Sequence, residues 1–380
     1  MGFNSDHALG RTRTVFAKVE TAFKTFLKPA ATDAIKVLEC KIGYKQERKD
    51  REDSRQTRSL VERITGRKEI TWSLEGYLIP SGTAATPPDM GVLIKAAMGV
   101  QTIGATVVYS LAETQSGLDP LSISEATTSV LGRACFGAWT DKMTLKVSGA
   151  DDPMIGFEGR ACGYIQTGTS TANGAGVATT ALIVQTADIS NFQVGSVLQI
   201  GAAQTNRQVT VKSGANLTLD SVATWSDTDA VIPYVPAETT IGSPIAGING
   251  SITIDAVTLP ITAFELTLEN GIKAVDDEAF ADAPTDFIVG WRKVTGNISV
   301  RARKDMILHI GKRVQDIATT RDLVVVFGTG TGTRFQVDID RAEMEFGDLE
   351  IPRADEATYT LPFTALATSA GGNEFTLTHL

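Results

Sequence analysis

Apolar and polar residues alternate over most of the chain, most clearly from Glu69 to Leu74, where Ile70, Trp72 and Leu74 fall on one side. A period of two is typical of a strand with one buried face. Comparable patterns predict further strands at residues 34–44, 104–112, 121–124, 134–149, 154–166, 251–269, 288–303, 324–340 and 344–366. The chain is therefore predicted to be mainly β, with segments 134–149 and 154–166 forming a hairpin.

Two short segments have the helical period instead. Asp89 stands at the N-cap position of the first, which should end at Gly99. Its apolar face would consist of Val92, Leu93, Ala96 and Ala97. Asp305 could cap the second, whose apolar face would consist of Ile307, Ile310, Val314 and Ile317. We expect each helix to cover one face of a sheet.

The composition changes at Thr167. From there to about Gly247 the chain is rich in Gly, Ala, Ser and Thr and nearly free of charge, with short apolar runs and a hairpin turn at residues 212–214. This pattern predicts a small β-barrel. Because insertions are tolerated at exposed loops, we expect the module to project from the parent fold.

The segments on either side of this module follow one order of elements. Each contains a strand, a long charged loop, the residues Gly-Arg-Lys (66–68) or Gly-Trp-Arg-Lys (290–293), an alternating strand, a short helix, an apolar strand and a late hairpin. Ile35 to Gly66 spans about the same length as Ile261 to Gly290. We interpret this as an internal duplication. The alternative is that two β-sandwiches share a generic order of strands and loops.

The predicted fold is thus mainly β, with two duplicated β-sandwich or barrel domains, each with a short covering helix, and a small inserted β-barrel. We divide the chain into an N-terminal arm at 1–33, a first domain at 34–166, the inserted module at 167–247 and a second domain at 248–380. The arm could form a helical turn or two through Val15, Val19, Ala22 and Phe23, or remain extended.

Two loops carry opposite charge. Residues 45–63 contain more basic than acidic residues, whereas residues 272–287 are acidic. A run of charge is most often a solvated loop. Loops of this length in compact domains also often contact a partner.

The sequence indicates no catalytic residues, no cofactor and no metal site. His7, His309 and His379 are far apart, and Cys40, Cys135 and Cys162 lie in apolar strand-like segments that predict buried free thiols. No apolar run approaches the roughly 20 residues needed to cross a bilayer, so we expect no membrane insertion. The net charge of −9 argues against wrapping of nucleic acid.

Two short patterns have plainer interpretations than the ligand sites they resemble. Residues 328–333 read Gly-Thr-Gly-Thr-Gly-Thr, but a strand-like segment follows where a phosphate-binding loop requires a helix. We therefore predict a hairpin. Asp338 and Asp340 would share one strand face, and a solvated face is a simpler explanation than a cation site.

Several segments resemble the major tail tube proteins of phages with long non-contractile tails. They are RSLVERITGRKEITWSLEGYLIPSG, PPDMGVLIKAAMG and the hairpin FGAWTDKMTLKVSG with MIGFEGRACG. The resemblance covers most of residues 10–165 and 245–368. The module at 167–247 is similar to add-on domains that such proteins display outside the tube.

The resemblance implies a structural virion protein without enzymatic activity. Its subunits would join sheet to sheet into rings, and the rings would stack into a hollow tube through which DNA passes without specific binding. Two tube domains per chain imply a trimeric ring with pseudo-sixfold symmetry, with a hexamer as the alternative. The implied partners are further copies of the chain, a tape measure protein, and the tail terminator and distal tail proteins. The implied location is the phage tail, after assembly in the host cytoplasm.

The charged loops 45–63 and 273–287 would reach neighbouring rings in such a tube. The residues expected at these contacts are Lys45, Arg48, Arg51, Arg55 and Arg58 on one side and Asp276, Asp277, Glu278 and Asp282 on the other. We expect the lumen to be acidic or neutral, because contacts to phosphate would hold DNA that must slide.

Three other classes remain as alternatives. A tail terminator or a contractile-system tube usually has one tube domain per chain, which the duplication disfavours. A carbohydrate-binding β module would require clustered aromatic side chains, whereas Trp72, Trp139, Trp225 and Trp291 are dispersed. An enzyme is the weakest alternative because no catalytic set is present.

Overall fold

The computed structural model describes residues 12–51, 62–127, 130–239, 242–258, 261–275, 280–301, 320–345, 349–350, 357–368 and 373–380. The strands before the inserted module are β1 Arg13–Val19, β2 Ala34–Ile35, β3 Glu39–Asp50, β4 Arg63–Tyr77, β5 Gly99–Ile103, β6 Val107–Leu111, β7 Leu121–Thr127, β8 Leu131–Ser148, β9 Met154–Ala161 and β10 Gly163–Thr167. The module contains β11 Ser170–Thr171, β12 Gly176–Ile183, β13 Val197–Ile200, β14 Gln204–Ser213, β15 Asn216–Trp225 and β16 Ala230–Pro233.

The strands after the module are β17 Gly250–Ile254, β18 Val257–Thr258, β19 Ile261–Glu269, β20 Ile272–Val275, β21 Asp286–Val289, β22 Lys293–Arg301, β23 Arg321–Phe327, β24 Phe335–Met344, β25 Leu349–Glu350, β26 Thr358–Ala365 and β27 Thr376–His379. The helix α1 Gly91–Met98 lies between β4 and β5. The prediction of a mainly β protein is confirmed. The helix predicted after Asp305 falls outside the described residues.

Eight strand positions run side by side and unite the two halves of the chain. All neighbours are antiparallel, in the order β3–β4–β9–β8–β19–β22–β26–β24, and β25 continues β24 along the edge of β26. We call this the joined sheet. Its first four strands precede the inserted module and its last four follow it. The order repeats, because β3, β4, β9 and β8 correspond to β19, β22, β26 and β24.

The strands β8 and β24 each continue into a second sheet, again in the same order. The first part of β8 lies between β7 and β10, and β7 pairs with β1. The first part of β24 lies between β23 and β27, and β23 pairs with β17. Both long strands have a register shift where they pass from one sheet to the other. In β8 the shift coincides with Gly137, whose φ of 57° suits glycine.

One apolar core lies under both halves. Trp72, Leu93, Leu145, Leu266 and Phe363 belong to the same cluster, and each is at most 2% exposed. Buried residues alternate with exposed or half-buried ones along β9, β19, β22 and the part of β4 that begins at Ile70, as the sequence pattern predicts. Burial of this alternating set therefore holds the two halves together as one body.

The helix α1 is confirmed, but its predicted N-cap is wrong. Met90 occupies the cap position and makes no side-chain capping hydrogen bond. The Asp89 side chain is buried, and its Oδ2 accepts a hydrogen bond from the backbone N–H of Lys36 at 2.9 Å. Burial raises the pKa of Asp89. A short acidic side chain can cap a helix or bind another backbone donor, and here Asp89 binds a donor that is distant in sequence.

Residues 13–19 do not form the arm that the sequence suggested. They form β1, which pairs with β7 along its whole length and with β2. Val15, Phe16 and Ala17 are at most 2% exposed. The helical spacing of Val15 and Val19 is fortuitous, since a strand that is buried on both faces need not alternate.

The inserted module forms a sheet and core of its own. Its strands run β11–β16–β13–β14–β15–β12, and a bridge between Ala172 and Val184 joins the two end strands. Leu182, Phe192 and Trp225 are among the side chains buried inside it. The sheet thus closes on itself, as a small barrel does.

The base of the module is fixed to the first half of the chain. Lys28 Nζ lies 2.7 Å from Asp220 Oδ2, and the backbone N–H of Gln166 donates to Gln193 Oε1 at 3.2 Å. Gly195 has a φ of 96°, and a Cβ there would lie 2.5 Å from Ile165 Cδ1. The module therefore docks through close contacts as well as through its chain connections.

Gly159 and Gly156 on β9 offer a matched pair of substitutions. A Cβ at Gly159 would lie 1.9 Å from the carbonyl oxygen of Trp139 and 2.8 Å from the Trp72 ring, whereas the nearest atom to a Cβ at Gly156 is 3.7 Å away. We predict that Gly159→Ala lowers the free energy of unfolding by about 3 kcal/mol, because the core must shift. Gly156→Ala should change it by less than about 1 kcal/mol. Urea unfolding followed by tryptophan fluorescence measures both, and equal effects would contradict the packing.

Candidate assembly surfaces

The joint between the two halves is a backbone ladder. Residues 142–148 of β8 pair with residues 263–269 of β19. On the core face Leu145 lies opposite Leu266, and on the other face Lys146 lies opposite Glu265. The two edges therefore match in hydrogen bonding, in apolar contact and in charge.

Asn270 fixes the register at one end of this joint. It is 3% exposed, and its Nδ2 donates to the carbonyls of Ala97 at 2.9 Å and Thr140 at 3.0 Å. Its backbone N–H donates to the carbonyl of Asp141, and Asp141 Oδ1 accepts from the backbone N–H of Ile272, both at 2.7 Å. A slipped register would leave a buried amide without partners, which is costly.

The acidic segment after β19 does not behave as the long loop that the sequence predicts. Its described ends form a hairpin, with β20 paired to β21. Ile272 and Phe287 of this hairpin pack against Leu118, Trp139 and Cys162 of the first half. Gln115 Nε2 also donates to the carbonyl of Phe287 at 2.7 Å. The hairpin is thus folded down onto the first half.

Arg292 ties three segments together beside this hairpin. Its Nη2 lies 2.8 Å from both carboxylate oxygens of Glu374, and its Nε lies 3.0 Å from Oε1. Its Nη1 donates to the carbonyl of Ala112 at 2.5 Å, and Nη2 reaches Glu113 at 3.1 Å. The guanidinium therefore holds the segment after β6 and the segment before β27 against the start of β22.

The basic segment forms a ribbon rather than a loop. Residues 45–50 of β3 pair with residues 63–69 of β4, beyond the point at Ile70 where β4 begins to pair with β9. Arg63 binds Asp50 across the ribbon at 2.7 Å, and Arg51 binds Glu62 at 2.5 Å. The sequence pattern missed these strands because both faces are exposed, so no apolar alternation is required. We call residues 45–51 and 62–69 the basic ribbon.

The predicted contact residues have different surroundings. Lys45, Arg48 and Arg51 lie on the basic ribbon. Arg55 and Arg58, and likewise Asp276, Asp277 and Glu278, lie outside the described residues. The expected pairing of these groups between subunits stays a prediction.

Asp282 already has a basic partner within its own chain. Its carboxylate binds Lys68 Nζ, and its carbonyl accepts the Lys68 backbone N–H at 2.8 Å. The hydrogen bond from Lys68 lowers the pKa of Asp282, and the same contact raises the pKa of Lys68. The stabilisation from this ion pair is fully present at a pH above the usual pKa of an aspartate. It is lost as the pH falls through the lowered pKa of Asp282.

Lys68 and Arg292 occupy corresponding positions in the two halves. Matching the two Arg-Lys motifs in the sequence instead pairs Lys68 with Lys293, which is one residue further along. Lys68 stands two residues before the buried Ile70, and Arg292 two residues before the buried Val294. Each binds a carboxylate from another segment, Asp282 for Lys68 and Glu374 for Arg292. The Arg-Lys motifs indicated that basic residues precede the alternating part of each strand. They did not indicate which acidic residues these side chains bind.

The joined sheet ends in two open edges. Among the described residues, β3 pairs only with β4, and β25 pairs only with β26. These strands are the first and last of the joined sheet. Open strand edges carry unpaired backbone donors and acceptors and readily pair with another chain.

The face of the joined sheet opposite the core is polar. Thr144, Thr267, Thr295 and Thr364 form a row in directly opposing positions. Nearby charges are balanced within the face, since Lys146 binds Glu75 at 2.5 Å and Lys41 binds Glu39 at 2.7 Å. This face presents hydroxyl groups and neutralised charges.

The described residues show the surroundings of the other candidate groups. The three cysteines are free and buried, as predicted, and burial raises the pKa of Cys40 to about 12. His379 is buried with its Nε2 3.1 Å from the carbonyl of Gly332, whereas His7 and His309 lie outside the described residues. Within the described ranges, no three His, Cys, Asp or Glu side chains gather as a metal site.

The glycine-rich segment at 328–333 is a hairpin, as predicted, because it joins the paired strands β23 and β24. The carbonyl of Gly332 accepts a hydrogen bond from the backbone N–H of Gly82, and the backbone N–H of Gly332 donates to the carbonyl of Leu380. Gly332 has a φ of 77°, and a Cβ there would lie 2.6 Å from the Gly82 carbonyl oxygen. This segment therefore brings the two halves together.

Comparison with known proteins agrees with this architecture. The profile of a family described as phage tail tube protein matches residues 10–365, which includes both halves and the inserted module. The chain belongs to the phage tail tube protein family. The family is a structural one, and membership makes the chain a component of the virion tail. A comparison with curated proteins returned no match. Among the described helices, none is long and apolar enough to cross a membrane.

Arg292 offers a test of the contacts that hold the halves of this tail tube protein together. The side chains of Arg292 and Glu374 are 16% and 14% exposed, whereas those of Lys146 and Glu75 are 49% and 34% exposed. We predict that Arg292→Met lowers the free energy of unfolding by about 3 kcal/mol, because the half-buried carboxylate of Glu374 loses its partner. Lys146→Met should cost less than about 1 kcal/mol.

The measurement is chemical unfolding of both variants beside the double variant Arg292→Met with Glu374→Met. The double variant should recover part of the loss, since it removes the half-buried carboxylate that would otherwise be left unpaired. If Arg292→Met lowers the free energy of unfolding no more than Lys146→Met does, Arg292 does not hold the segments together as assigned.

Proposed function

We propose that this chain is the repeating subunit of a hollow tail tube, in which three copies pair edge to edge into a ring, the rings stack, and DNA passes through the centre during ejection. One observation carries this proposal. Two units with the same strand order are already joined by β8 and β19, and the joined sheet has an open edge at each end. Repeating this joint between copies gives a closed ring without a free edge.

Strand number supports three copies. Each chain supplies eight strand positions to the joined sheet. Closure of two, three or six copies would give barrels with a backbone diameter of roughly 30, 45 and 90 Å, from the usual strand spacing and tilt. Inward side chains take up about 5 Å on each side, and a DNA duplex is about 20 Å wide. Two copies would leave too little room, and six would leave a channel far wider than DNA.

Three copies also give the ring six tube units, which is the pseudo-sixfold arrangement expected from the duplication. The two units are not identical, because the hairpin of β20 and β21 packs Ile272 and Phe287 against the first half, while the basic ribbon is held by its own ladder and by the contact of Lys68 with Asp282. A hexamer of chains remains the alternative outcome.

The polar face of the joined sheet would line the lumen, since the opposite face is filled by the core. Its threonine row and its charge pairs offer no array of unpaired cations to hold phosphate. A surface of this kind allows DNA to slide, because tight binding depends on many neutralised phosphates. The lumen would be close to neutral, within the range that the sequence led us to expect.

The remaining partners follow from the role of a tail tube. A tape measure protein would occupy the lumen during assembly in the host cytoplasm, and terminator and distal tail proteins would bind the two ends. The basic ribbon would extend towards a neighbouring ring, where acidic residues of the segment after β20 are available from the sequence. The inserted module would lie outside the tube, on the side away from the lumen.

Negative-stain electron microscopy of the concentrated protein, with its mass in dilute solution, tests the ring. We predict stacked rings with a central hole, three outer protrusions per ring and a ring mass of three chains. Six protrusions would support the hexamer. A protein that stays monomeric at high concentration would contradict self-assembly.

Charge reversal on the basic ribbon separates stacking from ring formation. Lys45 and Arg48 are exposed, and neither belongs to the core. We predict that Lys45→Glu with Arg48→Glu shortens the tubes by at least about half, because small losses of attraction add over many copies. Added salt should shorten parent tubes in the same way. The mass of single rings serves as the control, and tube length that is indifferent to both changes would contradict a role for the ribbon.

A further inference from the structure

We propose that β3 of one copy pairs antiparallel with β25 of the next copy in one register, which places Lys41 directly opposite Glu350. The proposal rests on the ring assembly proposed above and assigns the residues that close the ring. The joint between β8 and β19 inside the chain serves as the template for the joint between chains.

Rows across the joined sheet establish which residues correspond. In the first half Ile42 lies opposite Trp72, and Trp72 lies opposite Gly159. In the second half Leu266 lies opposite Gly296, and Gly296 lies opposite Phe363. The members of each row are buried or have no side chain, so both rows face the core. Ala138 and Ala342 are the first paired residues after the register shifts in β8 and β24, and two residues later Thr140 lies opposite Gly159 and Met344 lies opposite Phe363. Gly159 therefore corresponds to Phe363, Ile42 to Leu266, and Lys41 to Glu265.

The late hairpins give the second correspondence. Leu145 lies opposite Ile155, and Lys146 lies opposite Met154. In the second half Leu349 lies opposite Tyr359, and Glu350 lies opposite Thr358. Since Gly159 and Phe363 already correspond, Ile155 corresponds to Tyr359. Leu349 is therefore the counterpart of Leu145, and Glu350 is the counterpart of Lys146.

The template now fixes the register between chains. Within the chain Leu145 lies opposite Leu266, and Lys146 lies opposite Glu265. Replacing each by its counterpart places Leu349 of one copy opposite Ile42 of the next, and Glu350 opposite Lys41. Ile42 stays on the core side, and the charged pair of Lys41 and Glu350 stays on the polar side, as the period of a strand requires.

Charge complementarity is an independent argument for this register. The internal pair has lysine on β8 and glutamate on β19, whereas the proposed pair has glutamate on β25 and lysine on β3, so the signs are exchanged but still opposite. A slip by two residues in one direction would place Glu350 opposite Glu39, and in the other direction opposite Gly43. Like charges in directly opposing positions are destabilising. Of these three registers, only the proposed one pairs opposite charges.

The positions also suit a joint between copies. Lys41 and Glu350 are exposed, and they lie at the two ends of the joined sheet with six strands between them. A covalent bond between them within one chain is therefore excluded by distance, roughly 30 Å along the sheet. Any such bond must join two copies.

Cysteine cross-linking of assembled protein tests the register. The variant Lys41→Cys with Glu350→Cys should form disulfide-linked dimers and trimers on mild oxidation, because directly opposite Cα atoms lie about 4.5–5.5 Å apart, within the range of a disulfide. The register control is Glu39→Cys with Glu350→Cys, whose diagonal Cα separation of about 7 Å is too long. The parent chain, with its three buried thiols, is the background control.

Charge exchange provides a second measurement that needs no oxidation. Lys41→Glu and Glu350→Lys should each raise the concentration required for assembly by about threefold, because each places like charges opposite one another. The double variant restores opposite signs and should assemble at nearly the parent concentration. Circular dichroism of the dilute variants checks that each one is folded.

The outcomes separate the register from the function. If the parent forms rings but the cross-link appears in the variant Glu39→Cys with Glu350→Cys, or in neither variant, the proposed register is wrong. The proposed tube function would then still stand. Double charge exchange that fails to rescue assembly would also overturn it. A parent protein that never forms rings would overturn the proposed function, and this inference with it.

Discussion

The structure depends on the pairing of two strand edges, β8 from the first half and β19 from the second. This ladder turns two separate sandwich units into one continuous sheet above one core. A backbone ladder is specific in direction and register, because a slip by one residue would turn apolar side chains towards solvent. The buried amide of Asn270 adds a second constraint, since it finds its acceptors only in the observed register.

The same constraint explains why the chain is suited to assembly. Joining two units by their edges leaves the outer edges of β3 and β25 open among the described residues. A soluble monomer usually protects such edges, whereas a subunit of a closed ring uses them. In the proposed ring, the repeated order of elements supplies one joint within each chain, and the equivalent joints would be made between copies.

The two units have diverged where their neighbours differ. Lys68 and Arg292 hold corresponding positions, but Lys68 binds Asp282 in the connection between β20 and β21, whereas Arg292 binds Glu374 near the C-terminal strand. The hairpin of β20 and β21 buries Phe287 against the first half, while the basic ribbon is held by its own ladder and cross-strand ion pairs. The two units therefore share one strand order but differ in the contacts that hold them.

The sequence by itself determined the β character of the chain, the helix α1, the hairpin at 328–333, the burial of the three cysteines and the repeated order of elements. Each of these depends on local periodicity or turn residues, which act between neighbours in the chain. Only the tertiary structure decided the hydrogen-bond partners of Asp89, Asn270 and Arg292. It also decided the place of β1 in the sheet and the folding of the two charged segments into hairpins. These features depend on donors, acceptors and apolar surfaces that are distant in sequence. Their free energy comes from burial and from the satisfaction of hydrogen bonds, which no local pattern records.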